Sequence, residues 1–344
     1  METLNVTSNE AGQRLDKLLA KYLDRAGKGF LYKMMRKKNI TLNGKKCNGS
    51  ERLLEGDAIQ LFFSNETIEK FSAPLPSASS PGVTPSSRGP RENTGFGGFE
   101  RKHLDMIYED DHILVVNKPS GILSQKAKDK DISLNELILN YLIDSGSLPV
   151  SQLKTFRPSI CNRLDRNTSG LVVAGKSLSG LQIMNQLFKD RTIHKYYQCI
   201  VAGHLETKQL ISGFLKKEEA SNTVSIYSQE VENSVPILTE YLPLSGNDIY
   251  TLLQVKLITG RSHQIRAHLA SIGHPILGDY KYGNRTLNEE MKGSYGVCSQ
   301  LLHSWKLIMP DTLSAPLAQL GGMEFTAPVP ELFEKVIKGA SIQT

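Results

Sequence analysis

Cys161-Asn162-Arg163-Leu164-Asp165-Arg166-Asn167-Thr168-Ser169-Gly170, continuing into Leu171-Val172-Val173-Ala174-Gly175-Lys176, sets one carboxylate between two arginines, then small polar residues and a glycine, then a short apolar run. The apolar run reads as a buried strand, so the preceding residues form a turn at the mouth of a sheet that presents Asp165. Two flanking guanidinium groups favour the ionised carboxyl, and Asp165 is expected to be an anion across the physiological range, competent as a nucleophile or a base. An Arg-x-Asp-Arg string taken alone is more often a surface ion-pair cluster, so the decision falls to its neighbours.

Gly170 to Ser177 also matches the phosphate-loop pattern G-x-x-x-x-G-K-[ST] letter for letter. That pattern works only as an exposed loop between a strand and a helix, with its amides turned to phosphate. Here the four variable positions are Leu-Val-Val-Ala, which favour a strand, and no apolar segment feeds the loop. A nucleotide-hydrolase reading fails on context.

Arg163-Leu164-Asp165 with Thr168-Ser169-Gly170 resembles the catalytic signature of the RluA-type RNA pseudouridine synthases, which isomerise uridine. The signature usually opens with His; Asn162 stands there, and an amide can donate a hydrogen bond but cannot titrate. Asn117-Lys118-Pro119-Ser120-Gly121 resembles the family's first motif and is expected to be a rigid turn beneath the active site. Lys195-Tyr196-Tyr197 lies in a strand by its β-branched and aromatic content, so only one tyrosine can face the site; the family's Lys-x-Tyr pattern selects Tyr197. In Gly260-Arg261-Ser262-His263-Gln264-Ile265-Arg266, a helix begins near the glycine. Ser262 suits its N-terminus and lies near the face of Arg266, while His263 falls on another face.

The resemblance continues through His274-Pro275-Ile276-Leu277-Gly278-Asp279, Tyr282-Gly283 and Leu301-Leu302-His303-Ser304, and covers residues 103 to 330. It implies a catalytic domain over 103–335 with the α+β pseudouridine synthase fold, a bent and largely antiparallel mixed sheet with flanking helices. It implies further that Asp165 is catalytic, that Arg266 pairs with it, and that Tyr197 stacks on the uracil. Arg163 would fill the space left by the extruded nucleotide or grip phosphate. Attack on sugar, attack on base and deprotonation of C2′ all stay open for Asp165. The isomerisation needs no redox change and no group donor, so no cofactor and no metal are expected.

The net charge of +6 is unevenly placed, because residues 12–62 hold 12 Lys or Arg against 5 Asp or Glu, a surplus of +7 that leaves the remainder near neutrality. One small module is therefore the electrostatic footprint of a nucleic-acid binder. It reads as a helix from Arg14 ended by Gly27 and Gly29, a basic helix from Phe30 to Lys38, an Asn43-Gly44 hairpin and a closing strand after Gly56-Asp57. This arrangement resembles the alpha-L RNA-binding domain, assigned to 12–63, with Lys33, Arg36, Lys37, Lys38 and Lys45 against RNA. Residues 72–100 contain 6 Ser, 5 Pro and 5 Gly among 29, a composition that cannot offset its ordering entropy, so 64–102 is expected to be a flexible linker. Arg88, Arg91, Arg101 and Lys102 offer contacts to RNA phosphate.

The four cysteines show no C-x-x-C spacing, and no apolar run is long enough to span a bilayer, so the expectation is a cytoplasmic protein with no membrane partner. It is expected to act as a monomer on RNA, and the attached basic module points, by analogy, to large-subunit ribosomal RNA. Two other readings stand beside this one. A glycoside hydrolase needs a second carboxylate, and none accompanies the Asp165 motif. A non-catalytic RNA-binding or ribosome-assembly factor on the same fold is favoured only by Asn162.

Overall fold

The computed structural model describes residues 1–7, 9–72, 104–128, 131–218 and 221–342. These fall into two compact units. One takes in the described residues of Met1–His103 together with Leu137–Ser159 and Gly175–Gln182; the other takes in those of Leu104–Glu136, Ile160–Ala174 and Ile183–Thr344.

In the first unit, β1 (Glu2–Asn5), β2 (Ile40–Leu42), β3 (Lys45–Lys46) and β4 (Ala58–Leu61) form an antiparallel sheet in the order β1-β4-β2-β3. Helices α1 (Leu15–Tyr22) and α2 (Lys28–Arg36) cover it through Leu15, Leu18, Leu19, Leu31 and Met35, which pack with Ile40, Leu53, Ile59 and Leu61. Asn43 and Gly44 both have positive φ, 52° and 72°, as the tight β2–β3 hairpin requires.

Three boundaries differ from the sequence reading. The module starts before residue 12, because β1 pairs with β4 from Glu2↔Leu61 to Asn5↔Ala58. Gly27 is the N-cap of α2, which begins at Lys28, rather than a terminator of α1. Residues 65–71, placed in the linker, form helix α3 (Asn65–Phe71): the Ser64 hydroxyl accepts from the Thr67 amide, Ile68 is buried and Phe71 stacks on Phe30 with ring centroids 4.5 Å apart. The remainder of the linker assignment, with Arg88, Arg91, Arg101 and Lys102, lies outside the described residues.

The second unit carries most of an 11-stranded mixed sheet. In chain order the strands are β5 (Asp105–Glu109), β6 (Ile113–Lys118), β7 (Ser159–Ile160), β8 (Ser169–Gly175), β9 (His194–Ala202), β10 (Gln209–Glu218), β11 (Thr223–Tyr227), β12 (Ser234–Gly246), β13 (Tyr250–Leu257), β14 (Leu302–Ile308) and β15 (Glu324–Thr326). Their spatial order is β11-β10-β12-β13-β9-β14-β8-β6-β5, with β15 on β14 and β7 on β8. The helices of this unit are α6 (Gln264–Ser271), α7 (Arg285–Tyr295) and α8 (Glu331–Gly339), while α4 (Leu134–Asp144) and α5 (Leu178–Asp190) are divided between the two units. The strands from β9 to β13 pair antiparallel, whereas β8 and β14 run parallel. This is the α+β architecture that the sequence predicts.

Every residue of β8 is buried, and Leu171 and Val173 pack with Ile113, Val115, Ile193 and Leu307. The phosphate-loop pattern is therefore a central strand whose amides serve the sheet. Gly170 opens that strand with φ of 109°, opposite Ser304 on β14, and a Cβ there would lie 2.2 Å from the Ser304 carbonyl oxygen. Only glycine tolerates both the dihedral and the approach of a second backbone. Gly170→Ala should cost about 2–4 kcal/mol from the strained dihedral and the forced separation of β8 from β14. Urea unfolding of the two proteins measures it, and a difference below about 0.5 kcal/mol would contradict this account.

Candidate active site

The loop between β7 and β8 presents Asp165, and its backbone is fastened from one side. Gly121 N–H donates to the Arg166 carbonyl at 2.9 Å, the Ser120 hydroxyl to the Asn167 carbonyl at 2.9 Å, and Ser124 both accepts from Leu164 N–H at 2.9 Å and donates to its carbonyl at 2.8 Å. The Asn-Lys-Pro-Ser-Gly turn is thus the rigid support that the sequence suggested. Lys118 is its anchor. Fully buried at the end of β6, its Nζ donates to the carbonyls of Pro119, Ile122 and Arg166 at 2.9, 2.9 and 3.0 Å. Burial pulls this ammonium down to about 7, against the opposing pull of the Asp165 charge.

Asn162 serves the same loop. Cys161 N–H bonds to the Val173 carbonyl, and beyond it the Asn162 side chain takes over the ladder: its Oδ1 accepts from Val173 N–H at 2.8 Å and its Nδ2 donates to the Leu171 carbonyl at 3.1 Å. An amide that stands in for a peptide group has no need to titrate. Asn162 at this position therefore has a structural role.

The guanidinium on Asp165 is that of Arg266, not of its sequence neighbours. Arg163 and Arg166 are exposed, whereas Arg266 Nη1 donates to Asp165 Oδ2 at 2.8 Å. The i±1 arginines project from a turn, where adjacent side chains diverge, so the expected flanking pair is replaced by one residue brought in by α6. Arg266 is held in turn by Asp279, wholly buried, through Nε to Oδ2 at 2.6 Å and Nη2 to Oδ1 at 2.9 Å. Asp279 Oδ1 also accepts from the amides of Lys281 and Tyr282. Burial alone would weaken the proton affinity of Arg266; its bonds to Asp279 and Asp165 overcome that and raise it above the ordinary range. The Asp165 side chain keeps 27% of its surface exposed, against 8% for Arg266, so the carboxylate is the accessible end of this chain of charges.

Tyr197 lies on β9 opposite Val255 of β13 and Ser304 of β14. It is buried, and burial with the nearby Asp165 charge pushes its hydroxyl up to about 12, so it is a neutral phenol near Asp165. Its neighbour Tyr196 is half-buried, with Lys256 5.9 Å from its ring. The pleat separates the two as expected.

His263 departs from the helical-face reading. It is the N-cap of α6, not a residue within it, and has left-handed backbone dihedrals of φ 53° and ψ 13°. The ring therefore swings to the side of Arg266, with Nδ1 2.8 Å from the Tyr282 hydroxyl and Nε2 4.0 Å from Asp165 Oδ2. Ser262 does not cap the helix. Tyr282, beneath Arg266 with its ring 5.2 Å from the guanidinium carbon, also takes the Val224 amide on its hydroxyl at 2.9 Å. Sequence reasoning assigned no role to Lys118, Asp279 or Tyr282, although all three lie in quoted motifs. The string Gly278-Asp279-Tyr280-Lys281-Tyr282-Gly283 was the available signal.

In the first unit, Lys33, Arg36, Lys37, Lys38 and Lys45 are all exposed, the first two on α2, Lys37 and Lys38 just beyond its end, and Lys45 on the hairpin. They form no ion pair among the described residues and remain open to an anionic partner.

A buried lysine with a lowered pKa leaves a signature in stability. As pH rises from about 7 towards the ordinary lysine value, the native state sheds a proton that the unfolded chain keeps, so stability contributed by Lys118 increases over that window. Lys118→Met should flatten this rise while lowering stability at pH 7, since carbonyls of Pro119, Ile122 and Arg166 lose a donor. Urea midpoints of both proteins at pH 7 and pH 9.5 measure the difference; an equal rise in both would sink the assignment.

A model of the family "RNA pseudouridylate synthase" matches residues 112–271, the stretch that holds Lys118, Asp165, Tyr197 and Arg266. Among curated proteins, the chain is 28% identical over 344 residues to ribosomal large subunit pseudouridine synthase C of Vibrio vulnificus, covering 98% of this chain and 96% of that one. It is 36% identical over 207 residues to ribosomal large subunit pseudouridine synthase D of Borreliella burgdorferi, covering 59% and 60%. Among solved structures, human RNA pseudouridylate synthase domain containing 4 superposes with a TM-score of 0.57 at 20% identity over 70% of this chain and 94% of that one, which shows the shared fold. The motifs, the sheet and the matched stretch agree: residues 112–271 of this chain are similar to the RNA pseudouridylate synthase family.

Proposed function

We propose that the protein converts uridine to pseudouridine in RNA, with large-subunit ribosomal RNA as its substrate and Asp165 as the group that acts on the nucleoside. The observation that carries this reading is the Asp279–Arg266–Asp165 chain, in which a buried carboxylate fixes a guanidinium whose remaining N–H aims a partly exposed carboxylate. The substrate class follows the names of the curated relatives, synthases C and D of the ribosomal large subunit.

The reaction breaks the bond between C1′ and N1, turns the detached uracil and joins C1′ to C5, with a proton leaving C5 and one returning to N1. Asp165 serves as nucleophile or as base at C2′, and Arg266 holds its geometry with a planar fork. Tyr197, neutral and buried beside the carboxylate, offers a ring face for the uracil. The target base has to leave its stack, at a cost of a few kcal/mol, and the exposed cations of the first unit supply phosphate contacts that offset it. Arg163, exposed on the loop next to Asp165, would meet the vacated strand or a phosphate.

Asp165→Asn should abolish pseudouridine in large-subunit transcripts, read by carbodiimide-dependent primer extension, while RNA affinity by filter binding is retained. A variant that keeps turnover would remove Asp165 from the chemistry. Arg266→Lys keeps one charge but loses the fork that spans Asp279 and Asp165, so kcat should fall about 100-fold with KM for RNA held. Equal kcat in the two proteins would show that aiming of the carboxylate is not needed.

A further inference from the structure

The groups on the far side of Asp165 impose a direction on one hydrogen-bond chain. The Val224 amide lies on the edge strand β11 and can only donate, so the Tyr282 oxygen accepts there at 2.9 Å. Among the described residues the phenol proton then has one partner in reach, His263 Nδ1 at 2.8 Å. Nδ1 must accept it and carries no proton of its own, which leaves the single proton of a neutral imidazole on Nε2. That nitrogen faces Asp165 Oδ2 at 4.0 Å, an atom that already takes Arg266 Nη1. Among the described residues none donates to Oδ1.

We infer that His263 is a positioning residue for Asp165: its Nε2–H guards Oδ2, Tyr282 sets the tautomer that makes this possible, and Oδ1 is left as the oxygen that meets the nucleoside. The inference rests on the reading of Asp165 as the reacting group. At 4.0 Å the contact is electrostatic rather than a hydrogen bond. The left-handed backbone of His263 is the device that delivers the ring, since a helical residue there would point elsewhere. Two packing contacts keep it in place: the ring meets Tyr282 edge-on with centroids 5.7 Å apart, and Tyr282 is covered by Arg266.

The electrostatic surroundings agree with a neutral ring. Burial disfavours its charged form and outweighs the attraction of Asp165, while Arg266 and Lys281 push the same way as burial and Asp279 against it, so the ring titrates below an ordinary histidine. A protonated ring would also make Nδ1–H compete with Val224 N–H for the Tyr282 oxygen. The Tyr282 hydroxyl is itself raised by burial and stays protonated.

Tyr282→Phe tests the chain most cleanly, because it deletes the hydroxyl and leaves the ring under Arg266 and beside His263. With the full-length protein and a large-subunit transcript, kcat should fall about 10-fold with KM unchanged. The acid limb of the kcat profile should move to higher pH, since Nδ1 is freed to take a proton. Long-range 1H–15N NMR should show His263 protonated at Nε2 alone in the wild type and a tautomer mixture in Tyr282→Phe. His263→Asn, which suits a left-handed position, should lower kcat similarly and abolish the acid limb belonging to this group. A wild-type His263 protonated at Nδ1, or both variants with wild-type kcat and pH profiles, would overturn the inference while leaving Asp165 in its role. A wild-type protein that makes no pseudouridine would instead remove the underlying reading.

Discussion

The bidentate pair between Asp279 and Arg266 is the constraint on which the site depends. A fully buried carboxylate is costly unless its lone pairs are used, and here a guanidinium and two backbone amides use them. Because two of the fork's N–H groups are committed to Asp279, the third direction of the planar guanidinium is fixed, and it points at Asp165. The sequence separation of the three residues matters as much as the geometry. Asp165 comes from the loop before β8, Arg266 from α6 and Asp279 from the turn after it, so the ion chain also ties α6 to the loop that carries Asp165. Replacing any member would leave a charge stranded in a poorly solvated place, which is why the arrangement specifies one geometry rather than merely adding stability.

The same economy governs the loop that carries Asp165. Four residues within 118–124 bond to the backbone of Leu164, Arg166 and Asn167, and Asn162 joins that loop to β8 with a side-chain amide. The loop's own side chains are thereby released from structural duty: Arg163 and Arg166 are exposed and Asp165 is partly so. If Asp165 reacts as proposed, its loop needs this support from elsewhere, since a small displacement of a reacting atom changes the barrier steeply. Gly170 completes the arrangement by letting β8 and β14 approach closely just past the loop, which fixes where Asp165 stands relative to Tyr197 on β9.

What was legible in the sequence was local. Hydrophobic period and turn chemistry located β8, β9, the β2–β3 hairpin and the helix after Gly260, because each depends on residues within a few positions of one another. The motif order located Asp165 and Arg266 by resemblance. What was hidden depends on contacts between distant segments. Nothing in Arg163-Leu164-Asp165-Arg166 reveals that the flanking arginines leave the carboxylate to Arg266, and nothing near Lys118 reveals that its tail is buried among three carbonyls. His263 failed for a different reason. Helical spacing was applied to a residue that sits at the cap in a left-handed conformation, where the periodicity argument stops applying. Residues 65–71 were lost to the polar stretch beyond them, although Ser64 and Ile68 carry an ordinary cap and one apolar anchor.

The balance of charge explains why these particular residue types surround Asp165. The ion chain brings two carboxylates to one guanidinium, an excess of one negative charge in a region with little water. Lys118, whose ammonium feels the Asp165 charge through the loop it anchors, restores neutrality when protonated. Burial, with Arg266 and Lys281, opposes protonation of His263 against the pull of Asp165 and Asp279, so a neutral ring adds no further positive charge beside the guanidinium. Tyr282 and Tyr197 add polar hydroxyls without adding charge, because burial raises both phenols well away from ionisation. On the proposed reading, the site would present one carboxylate to an uncharged base, and the cations that RNA phosphates require would be the exposed lysines and arginines of the N-terminal module.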